Sequence, residues 1–151
     1  MAIRLARDGD YAAIARLRRQ TIHHVNARDY PDEVIRRWSA KENAATLRAS
    51  ADRHRRWVAV ERGQIVGFCE HDRQGALSRL YVHKDHLRKG IGSRLLTAAE
   101  ASLSALGFAA ATLEATVTAR EFYAANGYKL VRRAAYRGDS TEPVFKMRKR
   151  L

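Results

Sequence analysis

The residues best suited to chemistry lie in LYVHKDHLRKGIGSRLL, residues 80–96. A strand-like run, Leu80-Tyr81-Val82, leads through a polar loop to Gly90 and Gly92 and then into helical spacing. A helix start offers unpaired backbone N–H groups and about half a positive charge. Glycines there let an anion approach the main chain, and Arg88 and Lys89 add cations. The combination suits a phosphate. It is neither common phosphate loop: Leu95 stands where a dinucleotide loop needs its third glycine, and no G-x-x-x-x-G-K-[ST] occurs. The same glycines also fit a helix start that only needs close packing.

A second stretch, LEATVTAREFYAANGYKLV over residues 113–131, reads as strand, short helix, glycine turn and strand. Ala119, Phe122 and Tyr123 fall on adjoining faces of the short helix. Phe122 reads as a core aromatic. Tyr123 carries a phenol able to give or hold a proton.

These two stretches need a scaffold. A strand is expected at Ile3–Leu5, then a helix capped by Asp8 with Tyr11, Ile14, Leu17, Thr21 and Val25 on one face. Pro31 starts a second helix through Trp38, and residues 41–50 form a third. Residues 57–60 and 65–70 flank a hairpin turn, and residues 76–82 complete a meander. A long helix follows over 90–106, with Gly107 as its stop, then a strand at 111–115 and a helix at 118–125. Two strands, 128–135 and 144–147, close the chain. This order predicts an α/β fold with helices on the sheet and a parallel crossover from Ala76 to Ala115.

The chain has 151 residues, so one domain spanning 1–151 is expected. At this size about 70% of the unfolded surface can be buried without disulfide or metal. Cys69 is the only cysteine, which rules out an internal disulfide and is compatible with a reducing, cytoplasmic setting. It sits in a strand and reads as buried and inert. No apolar run has membrane-spanning length, so no membrane partner is expected. His23-His24 and His83-x-x-His86 lack partners at ligand spacing, so no metal is expected. Ser93 has no His/Asp pattern around it to make it a nucleophile.

Taken together, the two stretches resemble the GNAT superfamily of N-acetyltransferases. The loop pattern Gln/Arg-x-x-Gly-x-Gly/Ala falls on Leu87-Arg88-Lys89-Gly90-Ile91-Gly92, with leucine replacing the first polar residue. The second pattern falls on Thr116, Ala119, Phe122-Tyr123 and Gly127-Tyr128, with threonine where many members have asparagine. The resemblance runs from about Trp57 to the C-terminus. It implies a mixed, mostly antiparallel sheet with a splayed parallel pair and helices on both faces. It implies acetyl-CoA as co-substrate, with the diphosphate on the N–H groups of residues 88–93. The pantetheine arm would lie along Leu80-Tyr81-Val82, beside the strand ending Leu113-Glu114-Ala115, with Thr116, Ala119 and Phe122 nearby. A strand N–H near Val82 would face the oxyanion.

By the same resemblance Tyr123 is the general acid for the departing thiolate, or a group that only orders the sulfur. For the base, Glu70 at the end of its strand comes first, with Glu114, His71 and His83 as alternatives. The acceptor pocket is expected from the N-terminal helices. Tyr30 and Trp38 are its candidate aromatics, although Trp38 also fits a core position. The expected acceptor is a small-molecule or peptide amine. A protein N-terminus or lysine, and a CoA sensor without catalysis, are the alternatives. A dimer through the C-terminal strands is compatible with the sequence.

The net charge of +13 also raises nucleic acid as a partner. Arginine supplies 23 of the 29 cations. They are scattered, with no basic tail, and the aromatics fall on apolar faces without interleaving with charge, so the sequence argues against a nucleic-acid module.

Overall fold

The computed structural model describes residues 1–24, 26–40, 43–136 and 139–151. A seven-stranded sheet runs in the order β1 (Ala2–Leu5), β2 (His54–Glu61), β3 (Gln64–Asp72), β4 (Ala76–Val82), β5 (Ala110–Thr116), β7 (Asp139–Arg150), β6 (Lys129–Tyr136). Every neighbouring pair is antiparallel except β4 with β5. The mixed, mostly antiparallel sheet with one parallel pair is therefore as expected.

Among the described residues five α-helices accompany it: α1 (Tyr11–His24), α2 (Asp32–Ala40), α3 (Ala44–Ala49), α4 (Ile91–Ala105) and α5 (Arg120–Ala125). On one face α4 and α5 pack over Trp57, Cys69, Leu113, Ala115, Phe145 and Met147. On the other, α1 and α3 bury Ile14, Leu17 and Leu47 against Val58 and Phe68. Val25, placed on the α1 face, and residues 41, 42, 137 and 138 lie outside the described residues.

Local chemistry explains the joints. Arg62 (φ 50°) and Gly63 (φ 75°) form the two-residue turn between β2 and β3, both left-handed as such hairpins require. A Cβ on Gly67 would stand 2.8 Å from Leu95, so glycine lets α4 lie close on β3. The stop of α4 is Gly107 (φ 95°), with Phe108 N–H returning to Leu103 O. Asp8 differs from expectation. It opens a 3-10 turn ahead of α1 and pairs with Arg48 at 2.7 Å, while Asp10 accepts from Arg7 N–H and Arg4. On α4, Ile91, Leu95, Leu96, Ala99 and Leu103 are buried, and Leu106, just past the helix end at Ala105, is exposed.

Candidate active site

The parallel pairing of β4 with β5 is brief. Ala76 faces Thr112 and Leu77 faces Leu113, and then the strands part. Continued pairing would have set Leu80 opposite Thr116; a gap opens there instead. The ladder with β3 fixes what β4 shows to that gap. His83 N–H bonds to Val66 O, and Phe68·Tyr81 and Glu70·Arg79 follow at even spacing. Antiparallel pairs alternate, so the main-chain groups of Leu80 and Val82 turn toward β5, into the gap. Their side chains pack in the core below α4, and Tyr81 stacks on Phe68 on the opposite face, 6.1 Å between centroids.

At the end of β4, α4 begins beside the gap. Gly90 caps it in the left-handed region (φ 78°) with no side chain closing the helix end. The first intrahelical bond is Arg94 N–H to Gly90 O, at 3.1 Å, so the N–H groups of Ile91, Gly92 and Ser93 precede it. Leu87, Arg88, Lys89 and Gly90 are exposed, and Arg88 itself has φ 60°. A Cβ on Gly90 would meet nothing within 4 Å. The turn is open to an anion and unplugged by its own side chains. At Gly92 a Cβ would come within 3.1 Å of Phe122, so the missing side chain also lets α5 seat against α4. Ser93 is half-buried, and its carbonyl accepts from Thr97.

Thr116 closes β5. Its carbonyl and hydroxyl both receive Ala119 N–H, at 3.1 and 3.3 Å, which turns the chain into α5. This α5 carries Tyr123 inward between the rings of Phe122 and Tyr128, at 5.2 and 5.8 Å. Burial pushes the Tyr123 hydroxyl pKa up, with Cys69 and Tyr81 adding to it, so the phenol keeps its proton. Cys69 is fully buried, and its thiol is likewise pushed up by burial.

Glu70 lies near the end of β3, but its side chain has no exposed surface and is held in an ion-pair cluster. Arg56 Nε donates to Oε2 at 2.8 Å and Arg79 to Oε1 at 3.1 Å, with His54 at 3.6 Å. Arg56 goes on to Leu47 O and Ser50, so this carboxylate fastens α3 to the sheet. Glu114 is the more exposed carboxylate, on β5 with Lys146 at 3.4 Å. His71 bridges Asp72 O and Ser102 from a buried position, and His83 accepts Asp85 N–H.

Tyr30 is a fastener more than a lining. It is 5% exposed, accepts Val117 N–H at 2.8 Å and donates to Pro143 O at 3.0 Å. Trp38 packs beside it with its ring tilted by 59°, 4.7 Å between centroids. Asp29 adds a bond from Thr118 at 2.8 Å. The segment between α1 and α2 thus clasps the β5–α5 junction. These partners lie about 90 residues apart in the chain, and no local pattern signalled them. A separate cavity of about 590 Å³ between α1 and the β2–β3 hairpin includes Arg16, Gln20, Gln64 and His83 but none of the residues of the gap. Among the described residues no group of three or more His, Cys, Asp or Glu is arranged to hold a metal, and no helix is long and apolar enough to cross a membrane.

A diverging parallel pair beside a glycine-capped helix start agrees with what known families show. The model of the acetyltransferase (GNAT) domain matches residues 26–151. The chain belongs to the GNAT acetyltransferases. No curated protein sequence matches it. The solved GCN5-related N-acetyltransferase from Rhodopseudomonas palustris is 28% identical, with a TM-score of 0.90 over 99% of this chain and 95% of that one. The PaiA N-acetyltransferase of Thermoplasma acidophilum, crystallised with coenzyme A, is 23% identical, with a TM-score of 0.81 over all of both chains. YncA of Salmonella typhimurium, crystallised with acetyl-CoA, is 18% identical, with a TM-score of 0.71 over 100% of this chain and 94% of that one. The last two likenesses concern the fold. In this GNAT domain β1 and α1 precede the matched region, and β1 adds the edge strand of the sheet beside β2.

Proposed function

We propose that this GNAT acetyltransferase moves the acetyl group of acetyl-CoA to a primary amine of a small molecule or peptide by direct attack. The observation that carries the reading is the gap itself. Main-chain groups of Leu80 and Val82 turn into it, an open helix start stands at one end, and a buried protonated tyrosine lies close by.

In this reading the diphosphate rests on the N–H groups of Gly90, Ile91, Gly92 and Ser93, with Arg88 and Lys89 adding charge. Leu87 contributes no polar contact, so the backbone and these two cations carry the anion. The amide-bearing arm pairs with Leu80 and Val82 as an added strand. Val82 N–H is the donor for the developing oxyanion. The neutral amine attacks from the side walled by the segment between α1 and α2, at about 3–3.5 Å from the thioester carbon. The C–N bond forms, the C–S bond breaks, and Tyr123 gives its proton to the leaving thiolate. A phenol whose pKa is raised keeps the proton until that moment. Glu70 is withdrawn from the base role because its carboxylate is held by two guanidinium groups. Glu114, exposed on a strand bordering the gap, takes the amine proton.

The test is thiol release from acetyl-CoA with the whole chain and a panel of amines and short peptides. Turnover with at least one free amine, and none with the corresponding N-acetylated compounds, is the expected result. Thermal stabilisation by acetyl-CoA with no thiol release from any amine would reduce the protein to a CoA-binding module.

A further inference from the structure

The half of the sheet built from β5, β7 and β6 is covered by α4 and α5 on one face only. On the other face Tyr30 reaches Val117 and Pro143. Beyond that clasp, Phe145 and Met147 of β7 enter the core, so Lys146, Arg148 and Arg150 alternate onto the open face. Register brings β6 to the same place: Lys129 stands opposite Arg148, and Arg132 opposite Lys146. All are exposed except the half-buried Lys146. Among the described residues of these strands, Glu114 is the only carboxylate on this face, and it pairs with Lys146.

Like charges directly opposed across an antiparallel ladder cost stability, and here two such pairs adjoin. Cations repeat about every 6.8 Å along a strand and about 4.8 Å across it. The result is a flat grid of positive charge, and among the described residues no carboxylate pairs with Arg132 or Arg148. We propose that this face binds the phosphate backbone of duplex nucleic acid without reading its sequence. A duplex carries one negative charge per about 1.7 Å of its axis, a density suited to a two-dimensional grid. The described residues of the face include no aromatic ring on which unpaired bases could stack, which disfavours a single strand. A second copy of this chain would bring like charge to like. The cations that looked scattered in the sequence converge because strand alternation and cross-strand register bring positions 129, 132, 146, 148 and 150 together. The inference goes beyond acetyl transfer and does not depend on it.

The test uses the whole chain and a fluorescein-labelled DNA duplex of about 20 base pairs, with anisotropy read from 50 to 200 mM salt. The double variant Arg132→Glu/Arg148→Glu is compared with Arg16→Glu/Arg36→Glu, which makes the same change of net charge elsewhere. The first is expected to lose at least tenfold in affinity and to flatten the log–log salt slope by about two. The second is expected to stay within threefold of the parent. Melting curves establish that both are folded, and Arg132→Gln/Arg148→Gln should melt above the parent when no duplex is present. Equal losses in the two Glu variants would overturn the proposal, as would displacement of the duplex by poly-L-glutamate at matched charge concentration. Salt-dependent self-association without duplex binding would assign the face to a second copy and overturn it too.

Discussion

Phe122 of α5 fills the space that a Cβ on Gly92 of α4 would need, with its ring carbons 3.1 and 3.2 Å from that point. The contact joins the two motifs that carry the chemistry. It sets the short helix bearing Tyr123 against the helix whose start faces the gap. Gly92→Ala should therefore destabilise the fold by about 1–3 kcal/mol through overpacking. Phe122→Leu should recover part of that loss, giving a coupling of at least about 0.5 kcal/mol in a denaturant double-mutant cycle. Additive effects would mean that the two side chains do not share the space. Gly90→Ala, by contrast, meets no neighbour and should cost only its backbone strain, about 1–2 kcal/mol.

Tyr123→Phe keeps the ring between Phe122 and Tyr128 and removes only the hydroxyl. If that hydroxyl protonates the thiolate, kcat with a good amine should drop about 100-fold or more while KM for acetyl-CoA holds. A turnover number within threefold of the parent would leave the tyrosine with packing alone.

Glu70→Gln removes a charge that two guanidinium groups face, one of them buried. Leaving Arg56 uncompensated should cost about 3–5 kcal/mol of unfolding free energy. Because the Glu70 carboxylate is buried and engaged by both guanidinium groups, the pH profile of kcat/KM should keep its shape. Glu114→Gln should do the reverse, with little change in stability and a loss of the acid limb of the profile. A displaced limb in the Glu70 variant would return the base role to that residue.

Burial lowers the His71 pKa below its ordinary value near 6.5. The unfolded chain then binds the proton more readily. Its contribution to stability is present above about pH 6.5 and is lost as pH falls from there toward the folded-state value. Urea midpoints should decline between pH 7 and 5, and the decline should be shallower in His71→Asn. That variant should also be weaker at pH 7.5, because the bond to Ser102 at 2.9 Å is lost. Parallel declines in the two proteins would locate the acid sensitivity elsewhere.

Much of this architecture was legible from the chain. Turn residues and periodicity marked the hairpin at 62–63, the meander, the long helix and its glycine stop. The loop at 87–92 and the pattern from Thr116 to Tyr128 carried the resemblance that implied the parting of β4 from β5. What escaped was decided by contacts distant in sequence. A glutamate at a strand end looks the same whether it meets solvent or two arginines, and only the register of β2 and β4 against β3 sets Arg56 and Arg79 on Glu70. A tyrosine in a polar turn looks like a pocket wall until Val117 and Pro143 arrive at its hydroxyl. The repeat Lys146-x-Arg148-x-Arg150 had a period of two that could have signalled a charged sheet face, but without the partner strand it read as background.

One lone pair and one proton of the Tyr30 hydroxyl fasten the turn after β5 to the neighbouring β7 backbone, and both lie on the same bank of the gap. That bank cannot loosen without breaking two bonds. An amine entering along it would meet a wall set in advance, and selection there would favour molecules already shaped to that wall over any that the protein would have to flex to admit.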